Sequence, residues 1–413
     1  MVEPKNSLIT VNEAEKISLL TVNEAEKILF SELRDFGAEL VPIEKSIGRT
    51  LTQPLIADRD FPPFDRVTMD GIAIKYSAFK AGIRHFKIQS QQSAGESCIT
   101  LLADNECIEV MTGAILPKNT DTIIRYEDLS ISNNEAFVNI GVKPNQNVHY
   151  QGEDQKKGAT IVPKNTILRP TEIAIAATIG ATEIWVKKLP KIVIISSGDE
   201  IVPINQKPEK HQIRSSNTYA ITSILNNYKI KSDKIHISDQ LTITQNTIEK
   251  ALDNYDILIL SGGVSMGKKD FIPIALENLG VQKLFHKIAQ TPGKPFWFGK
   301  KGEKLVFALP GNPVSTYLCM IRYMIPWHFK SLELNILEPE YAQISEDFSI
   351  KNSLTYFLQV KLFNDKSILK AKPIKGHGSG DFANMVNADG FLELPAFERN
   401  SFKQGEVFKV WRF

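Results

Sequence analysis

Ser261-Gly-Gly-Val-Ser-Met-Gly-Lys-Lys-Asp270 follows directly on the apolar run Tyr255-Asp-Ile-Leu-Ile-Leu260. A buried strand that ends in two glycines and leads into a helix-like segment offers backbone N–H groups to an anion and a carboxylate to a metal within one turn. A phosphate-bearing ligand is the chemistry this implies. Ser196-Ser-Gly-Asp-Glu200 ends the earlier apolar run that begins at Lys191. On equivalent strand ends of one sheet, the two turns would bring Ser197, Gly198, Glu200, Ser261, Gly262, Gly263, Ser265 and Asp270 to one crevice. There Glu200 and Asp270 are oxygen ligands for Mg²⁺ against bound phosphates. Two further turns add to the set: Pro292-Gly-Lys-Pro brings the mobile cation Lys294, and Pro310-Gly-Asn-Pro-Val-Ser places Ser315 near the free amides of a helix start. Upstream, Phe61-Pro-Pro-Phe-Asp-Arg-Val-Thr-Met-Asp70 presents Asp65 and Asp70 in a loop stiffened by proline, and Gly152-Glu-Asp-Gln-Lys-Lys-Gly158 adds Glu153 and Asp154. Taken singly, each segment is also ordinary turn chemistry or a solvated loop. It is the pairing of the glycine turns that argues for a site.

The elements that would position these turns are most regular after Lys191. Apolar strands alternate there with helical stretches: Asn217 to Tyr228, Thr244 to Asn254 and Phe271 to Leu279 read as helices, and the runs near Lys234, Asp256 and Leu284 as strands. That alternation predicts a parallel, doubly wound sheet whose ligands sit at the carboxyl ends of its strands. Short alternating segments between Asp58 and Gly158 predict an inserted β-rich unit, and those after Phe329 a separate small barrel or sandwich. The fold class expected is multidomain α/β: a doubly wound, mostly parallel α/β domain, an inserted β-rich domain, a small linking domain and a C-terminal β-barrel-like domain. The boundaries expected are 18–38 with 190–333 for the α/β domain and 39–57 with 158–189 for the linking and dimerisation domain. The inserted domain is expected over 58–157 and the C-terminal one over 334–413. Thr-Val-Asn-Glu-Ala-Glu-Lys-Ile occurs twice, from Thr10 and from Thr21. Each copy carries a capping box, but only the second runs on through Leu29, Leu33 and Phe36 at helical spacing, so the second is the structural one.

Composition narrows the classes. The chain has 413 residues, too many for one core, and 49 basic against 47 acidic side chains, which gives no overall field for nucleic acid or an anionic membrane. Anion binding must be local. Cys98, Cys107 and Cys319 have neither zinc-finger nor redox spacing, which fits a reducing compartment. The start MVEPKNSLIT lacks a basic-then-apolar leader, and the apolar stretch around Ile173 to Ile179 is too short to span a bilayer, so a cytoplasmic protein is expected.

In order along the chain, FDRVTMDGIAI, MTGAILP, GEDQKKGATIV, SSGDEIV, SGGVSMGKKDF, TPGKPFWFG and LPGNPVS resemble the molybdopterin molybdenumtransferases, the family of bacterial molybdenum-insertion enzymes and of the gephyrin C-terminal domain. The resemblance runs from about Thr21 to the C-terminus. It implies insertion of molybdenum from molybdate into adenylylated molybdopterin, with release of AMP and a need for Mg²⁺. It also implies an elongated homodimer, whose site lies between the α/β domain of one subunit and the inserted domain of the other, working alongside other proteins of molybdenum-cofactor biosynthesis. By motif position, Asp70, Thr112, Asp154, Glu200 and Asp270 correspond to residues implicated in the family's site, with Asp70, Asp154, Glu200 and Asp270 as the catalytic set. Ser261, Gly262, Gly263, Ser265, Lys294 and Ser315 fall in its nucleotide- and phosphate-binding loops.

Several positions depart from the family's pattern. His149, Tyr150 and Gln151 stand where the family usually has arginines, Thr291 where it has a lysine, Gln240 where a second acid is common, and Ser215-Ser216-Asn217 where Asp-Ser-Asn is frequent. Fewer cations facing a multiply charged anion could weaken binding by a few kcal/mol at charge-assisted contacts. His149, Lys156, Lys157, Lys268 and Lys269 are the candidates to compensate. Two alternatives follow: a non-catalytic paralogue that binds the pterin or scaffolds partner proteins, and a nucleotide-processing enzyme on the same scaffold. The upstream MDG and GED loops speak against the latter.

Overall fold

A computed structural model of the chain describes residues 19–264, 270–334, 339–351, 353–396 and 398–413. The first TVNEAEKI copy, Ser265, Lys268 and Lys269 lie outside the described residues. The chain divides into two compact units. One holds the residues up to Glu39, then Gly48–Thr50 and Val186–Phe413; the other holds Leu40–Ile47 and Leu51–Trp185.

The first unit is built on a six-stranded sheet. Its elements are β1 (Ile192–Ser197), α1 (Asn217–Asn227), β2 (Ser232–Ile237), α2 (Leu241–Asn254), β3 (Ile257–Ser261), α3 (Ile272–Asn278), β4 (Gln282–His286), β5 (Trp297–Lys301), β6 (Lys304–Leu309) and α4 (Pro313–Cys319). Strand order is 2-1-3-6-5-4, with β2, β1, β3 and β6 parallel and β5 the one strand running backwards. Every residue of β1 and β3 is buried, because helices cover both faces, and this is why these strands read as unbroken apolar runs. Successive side chains alternate between the faces. Ile192, Ile194, Ile257 and Ile259 pack with Ile221, Leu225 and Leu29 on one side. Val193, Ile195, Leu258 and Leu260 pack with Ile248, Leu252, Ile272 and Leu276 on the other.

The second TVNEAEKI copy is the helix Val22–Phe30, closed by the predicted capping box. The Glu24 backbone N–H donates to Thr21 Oγ1 at 3.2 Å, and the Thr21 N–H donates to Glu24 Oε2 at 2.8 Å. Beyond α4 the helical path continues through a wide turn, Met320–Met324, to Ser331. From it Arg322, 1% exposed, reaches Glu26 Oε1 at 2.6 Å and Glu393 Oε2 at 3.1 Å. The C-terminal strands Thr355–Asp365, Ile368–Pro373, Glu340–Ile344, Val407–Arg412 and Gly390–Leu394 close on themselves as a five-stranded barrel around Leu358, Val360, Leu392, Phe402 and Val410. Closure removes free sheet edges and resolves the choice between barrel and sandwich.

The second unit carries a six-stranded mixed sheet, ordered Thr122–Arg125, Gly71–Ile74, Glu106–Val110, His85–Gln92, Glu135–Val138 and Leu129–Ser132. Its short strand Arg66–Val67 pairs antiparallel with Val148–His149. The helix predicted between Arg169 and Ile179 spans Pro170–Thr178 and stops at Gly180.

Candidate functional site

The two glycine turns of the first unit lie side by side. Ser196 of β1 is register partner to Ser261 of β3, so the chain leaves both strands at the same level of the sheet. Gly262 has φ +96°, and a Cβ there would lie 2.8 Å from the Ser197 carbonyl oxygen, so a side chain has neither the conformation nor the room. Gly198 has φ +140°, and a Cβ on it would meet Glu200 Oε2 at 2.7 Å. The Glu200 carboxylate is therefore folded back over the turn that precedes it. Around these turns opens a cavity of about 670 Å³. Its walls include Ser196, Ser197, Gly198, Glu200, Ser261, Gly262, Gly263, Asp270, Lys294 and Ser315, all but Ser196 assigned to a site from the sequence.

Polar side chains tie the rim together. Asn217, at the start of α1, donates through Nδ2 to Ser261 Oγ (3.0 Å), the Gly311 carbonyl (2.8 Å) and Thr316 Oγ1 (3.2 Å). Asn312 Nδ2 donates to Ser379 Oγ at 2.8 Å, and the Val314 N–H to the Ser379 carbonyl at 3.2 Å, which brings Ser379 and Gly380 into the wall. The turn bearing Lys294 rests on a buried network: Tyr323 Oη donates to Gln290 Oε1, and Gln290 Nε2 donates to the Gly293 carbonyl at 3.3 Å. Burial of Tyr323 raises its pKa well above the usual phenol value, so it stays a donor. The His286 Nε2–H donates to the Val264 carbonyl at 3.1 Å, holding the residue that follows the glycines. Burial lowers the pKa of that imidazole.

Carboxylates from Glu200, Asp239 and Asp270 and cations from Arg214 and Lys294 share the lining, together with several serine hydroxyls. The Ser197 hydroxyl is buried under the Gly263 turn and has no hydrogen-bond partner among the described residues, a costly condition for a polar atom. Among the described residues the lining contains no imidazole or thiol, so the metal donors it offers are oxygens. Among the described residues no three His, Cys, Asp or Glu gather closely enough to hold an ion by themselves. That donor set fits Mg²⁺, which takes one or two carboxylates and completes its shell with water and phosphate oxygens.

The second unit assembles the remaining sequence candidates in two groups. Asp70 accepts from the Thr112 N–H at 2.6 Å and the Thr112 hydroxyl at 2.7 Å, and the N–H in particular holds its carboxyl below the usual range. Asp154 Oδ1 lies 3.0 Å from His149 Nε2, and His149 Nδ1 lies 2.9 Å from Arg66 Nη2. Asp65 accepts from the Gln151 N–H at 2.8 Å, and Lys156 Nζ donates to the Gln151 carbonyl at 3.2 Å. The turn that seemed short of cations thus has Arg66 and Lys156 against it.

Family comparison agrees with this architecture. Residues 20–180 match the MoeA N-terminal region (domain I and II), residues 193–329 a probable molybdopterin binding domain, and residues 341–413 the MoeA C-terminal region (domain IV). A protein of Synechocystis sp. named molybdopterin molybdenumtransferase is 38% identical over 386 residues, covering 91% of this chain and 95% of that relative. The chain belongs to the molybdopterin molybdenumtransferase family. A relative of the same name from Staphylococcus epidermidis is 27% identical, over 90% of each chain. The crystal structure of a molybdopterin biosynthesis MoeA protein from Pyrococcus horikosii superposes with a TM-score of 0.80 and 30% identity, covering 96% of this chain and 99% of that one.

Full-length similarity to relatives bearing the transferase name does not favour a non-catalytic paralogue. Within the family fold, Ser197, Gly198, Glu200, Ser261, Gly262, Gly263, Asp270, Lys294 and Ser315 come together in one cavity, while Asp70 with Thr112, and Asp154 with His149, form separate clusters in the second unit. Sequence reasoning missed Arg214, Asn217, Asp239, Ser379 and Arg66. Gly376-His-Gly-Ser-Gly380 was a turn signal that could have found Ser379. Asn217 stood in a flagged segment, yet nothing local told that its side chain bridges the end of β3 and the start of α4.

Proposed function

We propose that this chain inserts molybdenum from molybdate into adenylylated molybdopterin, releasing AMP. The observation that carries this reading is the apposition of the Gly198 and Gly262 turns on adjacent parallel strands, opening into one polar cavity. The amides of these turns and the Ser197, Ser261 and Ser315 hydroxyls face the phosphates and the molybdate oxyanion, and Lys294 supplies a cation. Glu200 and Asp270 would hold Mg²⁺, which would offset phosphate charge. Rate enhancement comes from positioning and fixed dipoles, with no covalent nucleophile. Asp70, Thr112 and Asp154 enter by motif position, and a cytoplasmic homodimer that meets other cofactor-biosynthesis proteins completes the reading. Purified protein given adenylylated molybdopterin, Mg²⁺ and molybdate is expected to release AMP and yield active cofactor. Asp270→Asn is expected to cripple that yield. Normal turnover by Asp270→Asn removes its role, and absence of AMP release from the unmodified protein overturns the function.

A further inference from the structure

Arg66 and His149 are direct register partners in the antiparallel pair Arg66–Val67 with Val148–His149, so their side chains emerge on the same face. A guanidinium has five N–H donors and no acceptor. Across the 2.9 Å contact between Arg66 Nη2 and His149 Nδ1, the ring nitrogen must therefore present its lone pair. The ring proton then sits on Nε2 and is donated to Asp154 Oδ1 at 3.0 Å. Direction is fixed along the whole chain: guanidinium to imidazole to carboxylate. The same strand also ties down the neighbouring loop, since the Val67 N–H donates to the Ala114 carbonyl and the Gly113 N–H to the Val67 carbonyl, both at 2.9 Å. Glu153 adds a carboxylate 3.9 Å from His149 Nε2, but its Oε2 is already engaged by the Tyr150 N–H at 3.0 Å. His149 keeps 22% of its side chain exposed and Asp154 keeps 59%, so the carboxylate faces outward while its support faces in.

From this geometry we infer that Arg66 is a positioning residue: it locks His149 in the Nε2–H tautomer and, through that ring, aims and polarises the hydrogen bond that holds Asp154 for the reaction. The inference rests on the molybdenum-insertion reading for its activity readout, but not for its structural one. Without Arg66 nothing holds the Nδ1 side of the ring, which is then free to turn away from Asp154 and exchange its proton between the two nitrogens, and Asp154 loses its oriented donor. A glutamine at position 149 offers one acceptor and one donor, as the neutral ring does, and can bridge the same two partners.

The test compares full-length Arg66→Ala, His149→Ala, the double variant and His149→Gln. AMP release from adenylylated molybdopterin and molybdate gives kcat and KM, thermal melting reports folding, and long-range proton–nitrogen NMR on ¹⁵N-histidine protein reads the tautomer, the His149 signal being the one missing from His149→Gln. Expected are kcat losses on the order of tenfold to a hundredfold for each alanine variant, as for displaced catalytic groups. The double variant is expected to be no worse than either, because the two act in series. His149→Gln should keep turnover within a few-fold, melting should be unchanged, and the single Nε2–H signature should give way to a mixture of both tautomers in Arg66→Ala. Multiplicative losses, His149→Gln as damaged as His149→Ala, or an Nε2–H signature that stays unmixed without Arg66 would overturn the inference. Should the unmodified protein release no AMP, the insertion reading fails, and the NMR comparison still decides the tautomer lock.

Discussion

Replacing Asn217 probes whether the cavity depends on one amide that bridges the end of β3 and the start of α4. Its Nδ2 has two hydrogens for three acceptors: Ser261 Oγ, the Gly311 carbonyl and Thr316 Oγ1, at 3.0, 2.8 and 3.2 Å. Ser261 and Thr316 are 2% and 1% exposed, so water cannot readily replace the lost donor. Two hydrogen bonds at about 1 kcal/mol each, plus part of the cost of a stranded buried acceptor, give roughly 2 to 3 kcal/mol for Asn217→Ala. At roughly 2 to 4 °C per kcal/mol for a unit of this size, the melting temperature should fall by roughly 4 to 12 °C. The catalytic consequence is larger in relative terms, because the amide aligns the turn after β3 with the start of α4. A shift of a fraction of an ångström there should lower kcat/KM for AMP release by about tenfold or more. Asn217→Asp sharpens the case: it preserves shape but turns two donors into a carboxylate facing the Gly311 carbonyl and brings negative charge beside an anion site. It should be the worse variant in both stability and KM. Calorimetry and steady-state AMP release measure both quantities. If Asn217→Ala melts within about 1 °C of the parent with unchanged kcat/KM, or Asn217→Asp outperforms it, the amide does not organise this rim.

Gly262→Ala should abolish AMP release, since a Cβ would stand 2.8 Å from the Ser197 carbonyl at φ +96°; a variant with parental kcat/KM would show that the turn does not touch the ligand. Arg322→Ala should cost about 3 to 5 kcal/mol in urea-induced unfolding by stranding Glu26 and Glu393, and a loss under 1 kcal/mol would contradict a buried ion network. His328, 2% exposed, has its pKa lowered by burial to about 4 from an ordinary 6.5. The unfolded chain therefore takes up a proton that the folded one refuses. The His328 contribution is intact above pH 6.5 and falls by about 3 kcal/mol as pH drops to about 4. His328→Leu should remove that slope, so parallel stability–pH curves for parent and variant would refute it.

Much of the first unit was legible because its signals are local. Continuous apolar runs marked β1 and β3 as doubly covered strands, the glycine turns followed them in sequence, and the Thr21–Glu24 capping box sat at its required spacing. The reversed strand β5 was hidden by its setting. Trp297–Lys301 and Lys304–Leu309 carry a hairpin signal around Gly302, but they follow a region where strands alternate with helices, and the alternation masks it. What escaped entirely are contacts between residues far apart in the chain. Asn217 and Gly311 are 94 positions apart, Asn312 and Ser379 67, and Arg66 and His149 83. No periodicity or turn propensity encodes such pairs; they are set by strand register and by which loops share an edge.

The same distinction governs the charge of an anion site. Judged along the chain, His149-Tyr150-Gln151 is a turn that has lost its cations, and weakened affinity follows from counting them. In the fold, position 149 is opposite Arg66, and the Lys156 ammonium closes on the Gln151 carbonyl. The electrostatic field at Asp154 depends on the guanidinium across the strand pair as much as on the residues beside it in sequence. A cation supplied through a neutral imidazole also acts differently from one beside the carboxylate: it orients a donor without forming an ion pair that would neutralise Asp154. Substituting arginine at His149 would set a second guanidinium facing Arg66 and ion-pair it with Asp154 in place of the directed hydrogen bond, so it should lower kcat below that of the parent chain although it adds a positive charge. A rise in kcat for His149→Arg would mean that total charge, and not the directed hydrogen bond, is what the site requires.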